Sequence, residues 1–563
     1  MTRQGGQLPW GSGGPVYRER RDTQRRNAFL GGAAVLAFLF AVFFVFRACT
    51  GSSCAETYCP TSANIPPPEG YERLTSVFKV REGTTVPDDK QIQVQLRLDK
   101  TTADGRNLSF YRYVAATKAW EPLTPAVLDA EGKTVSALLT AAPDQVAVLR
   151  RLSAAGHVVA YLAHNAPLHP EAVGEVTIVH TRDFRPSSDG SIAGELTAFQ
   201  ITGAKTDGSV AFLPSLYGDA TDKTFLPIVT GILANSAARS NHVQQIVRKV
   251  VETQLAGIDI DYRDLPAEPA TRTSFSLFIA ELGQALKAQN KQLTVTLPAP
   301  IRTQERIDEG AYDWAEIGRS ADIVQMRVLR DQSTYRQAMP AILTHLTAAV
   351  PANKIVFTVS PYSTEKSPSD VSPLALTQAM TIATKMAVQG DQLTTNTNVN
   401  IVADNIARTS GRSGIVWEPQ TATVAFTYEQ NGGRTIWIEN FFSVGFKLEF
   451  ISRFKLGGLA IEDGSADPSI ANLWPALSPF IATGQPILLQ PNSLDLSPTW
   501  KASKGVGEVR EKGGAFTWQT PAEPGTYTIT LTVSDGVSRF ENELPVTVQQ
   551  KDRATPTPTT GAR

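Results

Sequence analysis

Residues 256–265 read Ala256-Gly257-Ile258-Asp259-Ile260-Asp261-Tyr262-Arg263-Asp264-Leu265. Apolar and charged residues alternate there, the period-two pattern of a strand, so Asp259, Asp261 and Arg263 project from one face. Outward from this stretch, short apolar runs recur at 176–180, 210–216, 293–297, 323–328, 355–359 and 458–461. Stretches with apolar residues at helical spacing, such as 243–255 and 274–289, lie between them. Strand–helix repetition over 157–480 predicts a parallel α/β architecture, and the length suits a (β/α)8 TIM barrel. On such a barrel the shared face of 259, 261 and 263 turns inward, toward the C-terminal mouth where active sites lie.

Several of these pieces occur together and in order. Gly257, Asp259 and Asp261 match a fourth-strand pattern D-G-x-D-x-D-x-E. Residues 293–298 follow as a fifth strand, 321–326 as a sixth and 354–362 as a seventh. Thr435-Ile436-Trp437-Ile438-Glu439-Asn440 with Ser443, then 457–461, reads as the region entering the eighth. In this order they resemble the family 18 glycoside hydrolases, especially a bacterial branch associated with spore germination and cell-wall glycans. The resemblance implies substrate-assisted chemistry, an exception to the two-carboxylate scheme. The substrate's own N-acetyl group attacks the anomeric carbon. The glutamate ending the motif protonates the leaving oxygen, and the aspartate two residues earlier, here Asp261, orients the acetamido group.

The chain departs from that pattern at four places. The first aspartate of the motif is Ala256, and the acid position is Arg263, whose guanidinium has no proton to give at working pH. The sixth-strand pattern M-x-Y-D reads Met326-Arg327-Val328-Leu329, and the eighth-strand tryptophan is Glu462. Three readings follow. Arg263 forms a salt bridge with Asp261 or Asp259; or Asp264, one residue on, swings back as the acid; or Arg263 and Arg327 line a pocket for an anionic group. Candidate catalytic residues, if the protein is active, are Asp259, Asp261 and Asp264. Candidate binding residues are Arg263, Arg327, Glu462 and Tyr362.

The flanks are organised differently. Residues 28–46, AFLGGAAVLAFLFAVFFVF, form an apolar run that as a helix spans about 28 Å, the thickness of a bilayer core. The basic segment 1–27 precedes it, with Arg18, Arg20, Arg21, Arg25 and Arg26, and predicts a single transmembrane helix with a cytoplasmic N-terminus. A Cys/Pro-containing linker covers 47–70, and Cys49, Cys54 and Cys59 in it are the only cysteines, read as a local disulfide plus one further thiol. Residues 71–152 alternate at Ile92, Val94, Leu96 and Leu98 and predict a small β-sandwich, with Tyr111, Tyr113 and Trp120 as aromatic core. Residues 485–549 resemble a polycystic-kidney-disease or other immunoglobulin-like module, and 550–563 form a low-complexity tail.

Composition narrows the functions. A net charge of −1 gives no bulk electrostatic case for nucleic acid. Six scattered histidines make no tight ligand pair, so neither metal nor cofactor is proposed. Two functions remain. The first is an extracytoplasmic protein, anchored in a bacterial plasma membrane, that binds N-acetylglucosamine-containing glycans without hydrolysing them. The second is an active hydrolase of β-1,4-linked N-acetylglucosamine polymers using Asp264 or another carboxylate. Protein partners are left open.

Overall fold

The structure, a computed structural model, describes residues 57–551 apart from 69–70, 85–91, 103–104, 106, 140, 153–154, 205–209, 391–392, 408–413 and 511–512. The apolar run 28–46, the basic segment before it, Cys49 and Cys54 lie outside the described residues. Among the described residues no helix is long and apolar enough to cross a membrane.

Eight parallel strands make the centre. They are His157–Leu162, Ile178–Thr181, the two pieces Ala211–Phe212 and Ser215–Gly218, Gly257–Tyr262, Gln292–Leu297, Ile323–Met326, Ile355–Val359 and Gly458–Ile461. The two pieces of the third strand pair in turn with the second and the fourth. The first strand pairs with the second and the eighth, so the sheet runs from one piece of the third strand round to the other, and those two pieces are consecutive in the chain. The parallel α/β expectation therefore holds. The first strand was not among the flagged runs, although every residue of it is buried.

Layers inside the ring follow from the two-residue repeat. Val159, Ile178, Ala211, Leu213, Ile323, Val356 and Ala460 form an apolar plug at the N-terminal end. Two residues further along their strands stand Tyr161, His180, Gln325, Thr358 and Glu462, so the same inward face becomes polar toward the mouth. Outside, Ser236–Glu252 is capped by Asn235, whose side chain accepts from the amides of Ala237 and Ala238. It buries Val243, Ile246 and Val250 toward the sheet. Pro269–Lys287 buries Phe275, Phe278, Ile279 and Leu282 likewise.

Gly257 opens the decisive strand because nothing larger fits: a Cβ there would lie 2.1 Å from the Gln292 carbonyl oxygen. Gly257→Ala is expected to cost about 1–3 kcal/mol in a denaturant titration, as overpacking does. Gly231, in the helix Phe225–Ala234, has nothing within 4 Å of its would-be Cβ. Gly231→Ala is therefore the control, expected to stabilise by up to about 1 kcal/mol.

Between the seventh and eighth strands the chain builds an antiparallel five-stranded sheet from Ser363–Lys366, Val371–Leu374, Val416–Glu418, Thr423–Glu429 and Gly433–Ile438. Residues 435–438 belong to that inserted sheet, and Asn440 caps the helix Phe441–Phe454 that precedes the eighth strand.

The N-terminal unit is two packed sheets around Phe78, Val94, Leu96, Phe110, Val135, Val146 and Val148. Tyr58–Pro60, inside the segment read as linker, pairs with Phe78–Val80 and carries Cys59 into that fold. Tyr111 packs on the other face of its sheet with Ala147, Leu149, Tyr71 and Trp120, not in the sandwich core.

The C-terminal unit is also two sheets. One joins Thr499–Ala502, Gly525–Ser534 and Arg539–Val548. The other takes two strands from within the segment read as barrel: Met386–Gln389 pairs with Asn398–Ala403, which pairs with Ala515–Gln519, which pairs with Val506–Arg510. Val399, Ile401, Phe516, Trp518 and Ile529 share one buried cluster.

Candidate functional site

Asp259 and Asp261 are both fully buried inside the ring, at the fourth strand. The neighbouring strands supply three hydroxyls to Asp259. Tyr161 donates at 2.8 Å, Ser215 at 2.7 Å and Thr296 at 2.8 Å. The hydroxyls of Tyr161 and Thr296 also touch one another. Burial pushes the Asp259 carboxyl above the usual carboxylate range.

Asp261 is held differently. The Nε of Arg263 donates to both its oxygens at 2.9 and 3.0 Å, and Nη2 of the same guanidinium makes a further contact. Arg327 Nη1 donates to the same carboxylate at 3.0 and 3.2 Å. Burial alone would raise this carboxyl, but the Arg327 and Arg263 charges outweigh it and hold it below its ordinary value. For Arg263, burial works against the charge, yet Asp261 raises it above an already high value. It stays a cation at any working pH.

The network continues across the mouth. Arg263 lies 3.7 Å from Asp219. Arg327 lies 3.7 Å from Glu462, Arg330 donates to Glu462 at 2.5 Å and Ser360 donates to it at 2.6 Å. Burial pushes Glu462 up, and Arg330 and Arg327 more than reverse it, so it stands below its ordinary value. Tyr362 donates to Asp463 at 2.6 Å, beside Glu462 in sequence. Arg263, Arg327, Asp261 and Glu462 thus form one ion-paired chain, with Asp259 beside it and Tyr362 at its rim.

Asp264 stands apart. It is exposed, takes a left-handed backbone conformation (φ 55°), and its carboxylate accepts from the Ala220 amide at 3.0 Å. His180 points into the ring, where its Nδ1 lies 2.7 Å from the Leu213 carbonyl oxygen. Tyr161, Ser215, Thr296, Arg182 and Arg330 were not singled out from the sequence. Ser215 falls inside the run 210–216, but a serine in a strand says nothing of what it faces until register places it opposite Asp259.

Tyr161, Arg182, Thr296, Gln325, Arg327 and Glu462 line a small cavity of about 10 Å³ at the mouth. Position 263 carries a guanidinium that keeps its protons at working pH.

Two family models match the chain. The family described as "Glycosyl hydrolases family 18" matches residues 179–467, and the PKD domain matches 470–548. Among solved structures, a chitinase from Chromobacterium violaceum is 20% identical, with a TM-score of 0.45, over 57% of this chain and 98% of that one. The spore cortex-lytic enzyme SleL from Bacillus cereus is 16% identical, with a TM-score of 0.44, over 61% and 78%. A class V chitinase from Pseudomonas fluorescens is 19% identical, with a TM-score of 0.43, over 57% and 99%. No curated protein matches the sequence.

Proposed function

Because this chain belongs to glycosyl hydrolase family 18, we propose that it binds N-acetylglucosamine-containing glycans at the barrel mouth and does not hydrolyse them. One observation carries the reading: Arg263, which the resemblance sets at the position of the acid, donates to Asp261, the carboxylate that would orient the substrate's acetamido group. The family's chemistry needs a proton for the leaving oxygen, and a guanidinium paired with a buried carboxylate does not release one. It also needs Asp261 free to face the acetamido group, whereas two arginines occupy it. Asp264 is no substitute, since its carboxylate caps an exposed loop amide. What remains is a polar mouth on a rigid ring, fit for binding. The apolar run 28–46, with arginines before it, supports the further proposal that this mouth is displayed outside a plasma membrane.

Turnover tests the loss of chemistry. The full chain is expected to release no chromophore from an aryl glycoside of di-N-acetylglucosamine, and Asp264→Asn is expected to change nothing. Release by the wild type that disappears in Asp264→Asn would refute the proposal and make Asp264 the acid.

A further inference from the structure

Three of the arginines at the mouth are ion-paired and a fourth is not. Arg263, Arg327 and Arg330 are distributed over Asp219, Asp261 and Glu462. Arg182 follows the second strand, two residues beyond His180 and so on the same inward face. It lines the pocket with Tyr161, Thr296, Gln325, Arg327 and Glu462. Among the described residues no carboxylate lies within 4 Å of its guanidinium, and its Nε is buried with no hydrogen-bond acceptor.

Its sequence neighbour does not serve it. Asp183 lies on the opposite face, where its carboxylate is filled by His164 Nδ1 at 2.8 Å, Thr181 Oγ1 at 2.6 Å and the Thr197 amide at 2.9 Å. Asp261 and Glu462 are near enough for Arg182 to help keep them ionised, but each is already bonded to other arginines. A guanidinium shut partly away from water without an anion is costly unless a ligand brings one.

We propose that Arg182 is the receiving group of an anion subsite, and that the glycan bound at this mouth carries a carboxylate on an N-acetylhexosamine. This rests on the glycan-binding reading above. Charge favours a monoanion, because carboxylates already crowd this mouth: Asp219, Asp261 and Glu462 pair with three of the arginines, and Asp463 stands next to Glu462 in sequence. A dianion such as phosphate would also face Glu462 across the same pocket. Shape agrees, because the planar fork of an arginine matches a carboxylate with two parallel hydrogen bonds.

Calorimetric titration of the full chain at low ionic strength tests this. The ligands are tetra-N-acetylglucosamine, a tetramer alternating N-acetylglucosamine and N-acetylmuramic acid with free lactyl carboxylates, the same tetramer with those carboxylates amidated, and inorganic phosphate. The acidic tetramer is expected to bind at least about ten-fold more tightly than its amidated form, the yield of a charge-assisted hydrogen bond. Arg182→Gln is expected to abolish that preference, read as the ratio of the affinities for the acidic and amidated tetramers, and to leave the melting temperature unchanged. Arg182→Lys is expected to keep part of the preference. Equal affinity for the acidic and amidated tetramers would overturn the subsite and leave the glycan reading standing. Binding of no sugar at all would overturn both. Phosphate binding as tightly as the acidic tetramer would show a free-anion site and overturn the sugar assignment. Loss of neutral-glycan binding together with a lower melting temperature in Arg182→Gln would make Arg182 a structural residue.

Discussion

Asp261→Asn is expected to lower the stability of the protein by about 3–5 kcal/mol, the cost of removing one partner from a buried ion pair. Asp261 is fully buried and is the carboxylate on which both Arg263 and Arg327 converge. An amide of the same shape leaves two guanidinium groups facing each other with one charge fewer to balance them. Asp259→Asn should cost much less, because burial already favours the neutral form of Asp259 and its partners are hydroxyls that can turn to suit an amide. The pH dependence has a fixed sign. The Asp261 carboxyl is depressed in the folded protein, so its contribution is complete above the unfolded value of about 3.9 and is lost as pH falls through the lower folded value. Denaturant titrations between pH 3 and 7 check both points: the Asn variant should be less stable at neutral pH and should lose less than the wild type on acidification. Equal stability of the two Asn variants at pH 7 would contradict this account of the mouth.

Removing the C-terminal unit, residues 485–563, is expected to produce an aggregating protein rather than a trimmed but intact barrel. Asn398–Ala403 lies between Met386–Gln389 and Ala515–Gln519, so the cut strips one whole edge from a central strand. Val399 and Ile401 lose the cover of Phe516 and Trp518, and the exposed strand edge invites pairing between molecules. The attachment has further stitches: Asn440 donates to the Asp535 carbonyl at 3.0 Å, and Asn542 donates to the Thr384 carbonyl at 3.0 Å. A milder variant isolates the packing. Trp518→Ala is expected to cost about 3–5 kcal/mol in the intact chain, the usual price of deleting a fully buried tryptophan. Soluble expression of the truncated chain with an unchanged melting temperature would show that the unit is a detachable spacer.

That shared sheet marks where sequence stops being informative. Periodicity located the second to eighth ring strands and put Asp259, Asp261 and Arg263 on one face, because alternation within a strand is a local property. The partner of a strand is not local. Val399 and Ile401 alternate like any half-buried strand, and nothing in them points to residues more than a hundred positions away. The same holds at residues 435–440, where a strand and a helix cap lie in the expected order but belong to the inserted sheet and the helix after it. Within the site, the charged residues were legible and the hydroxyls were not. Arg263, Arg327 and Glu462 stand out as unusual types at inward positions. Tyr161, Ser215 and Thr296 are ordinary strand residues, and only the closed ring brings all three to Asp259. Arg182 was missed for the opposite reason: it sits just past a recognised run, and that its buried Nε meets no hydrogen-bond acceptor among the described residues is a fact of three dimensions.

The most direct test of the central claim is a titration of the full chain with β-1,4-linked N-acetylglucosamine tetramer to hexamer, with heat of binding and sugar products followed in the same samples. Saturable binding with the oligomers recovered intact is the predicted result. Shorter oligomers accumulating in proportion to protein and time would contradict it, and would show that a proton reaches the glycosidic oxygen despite Arg263.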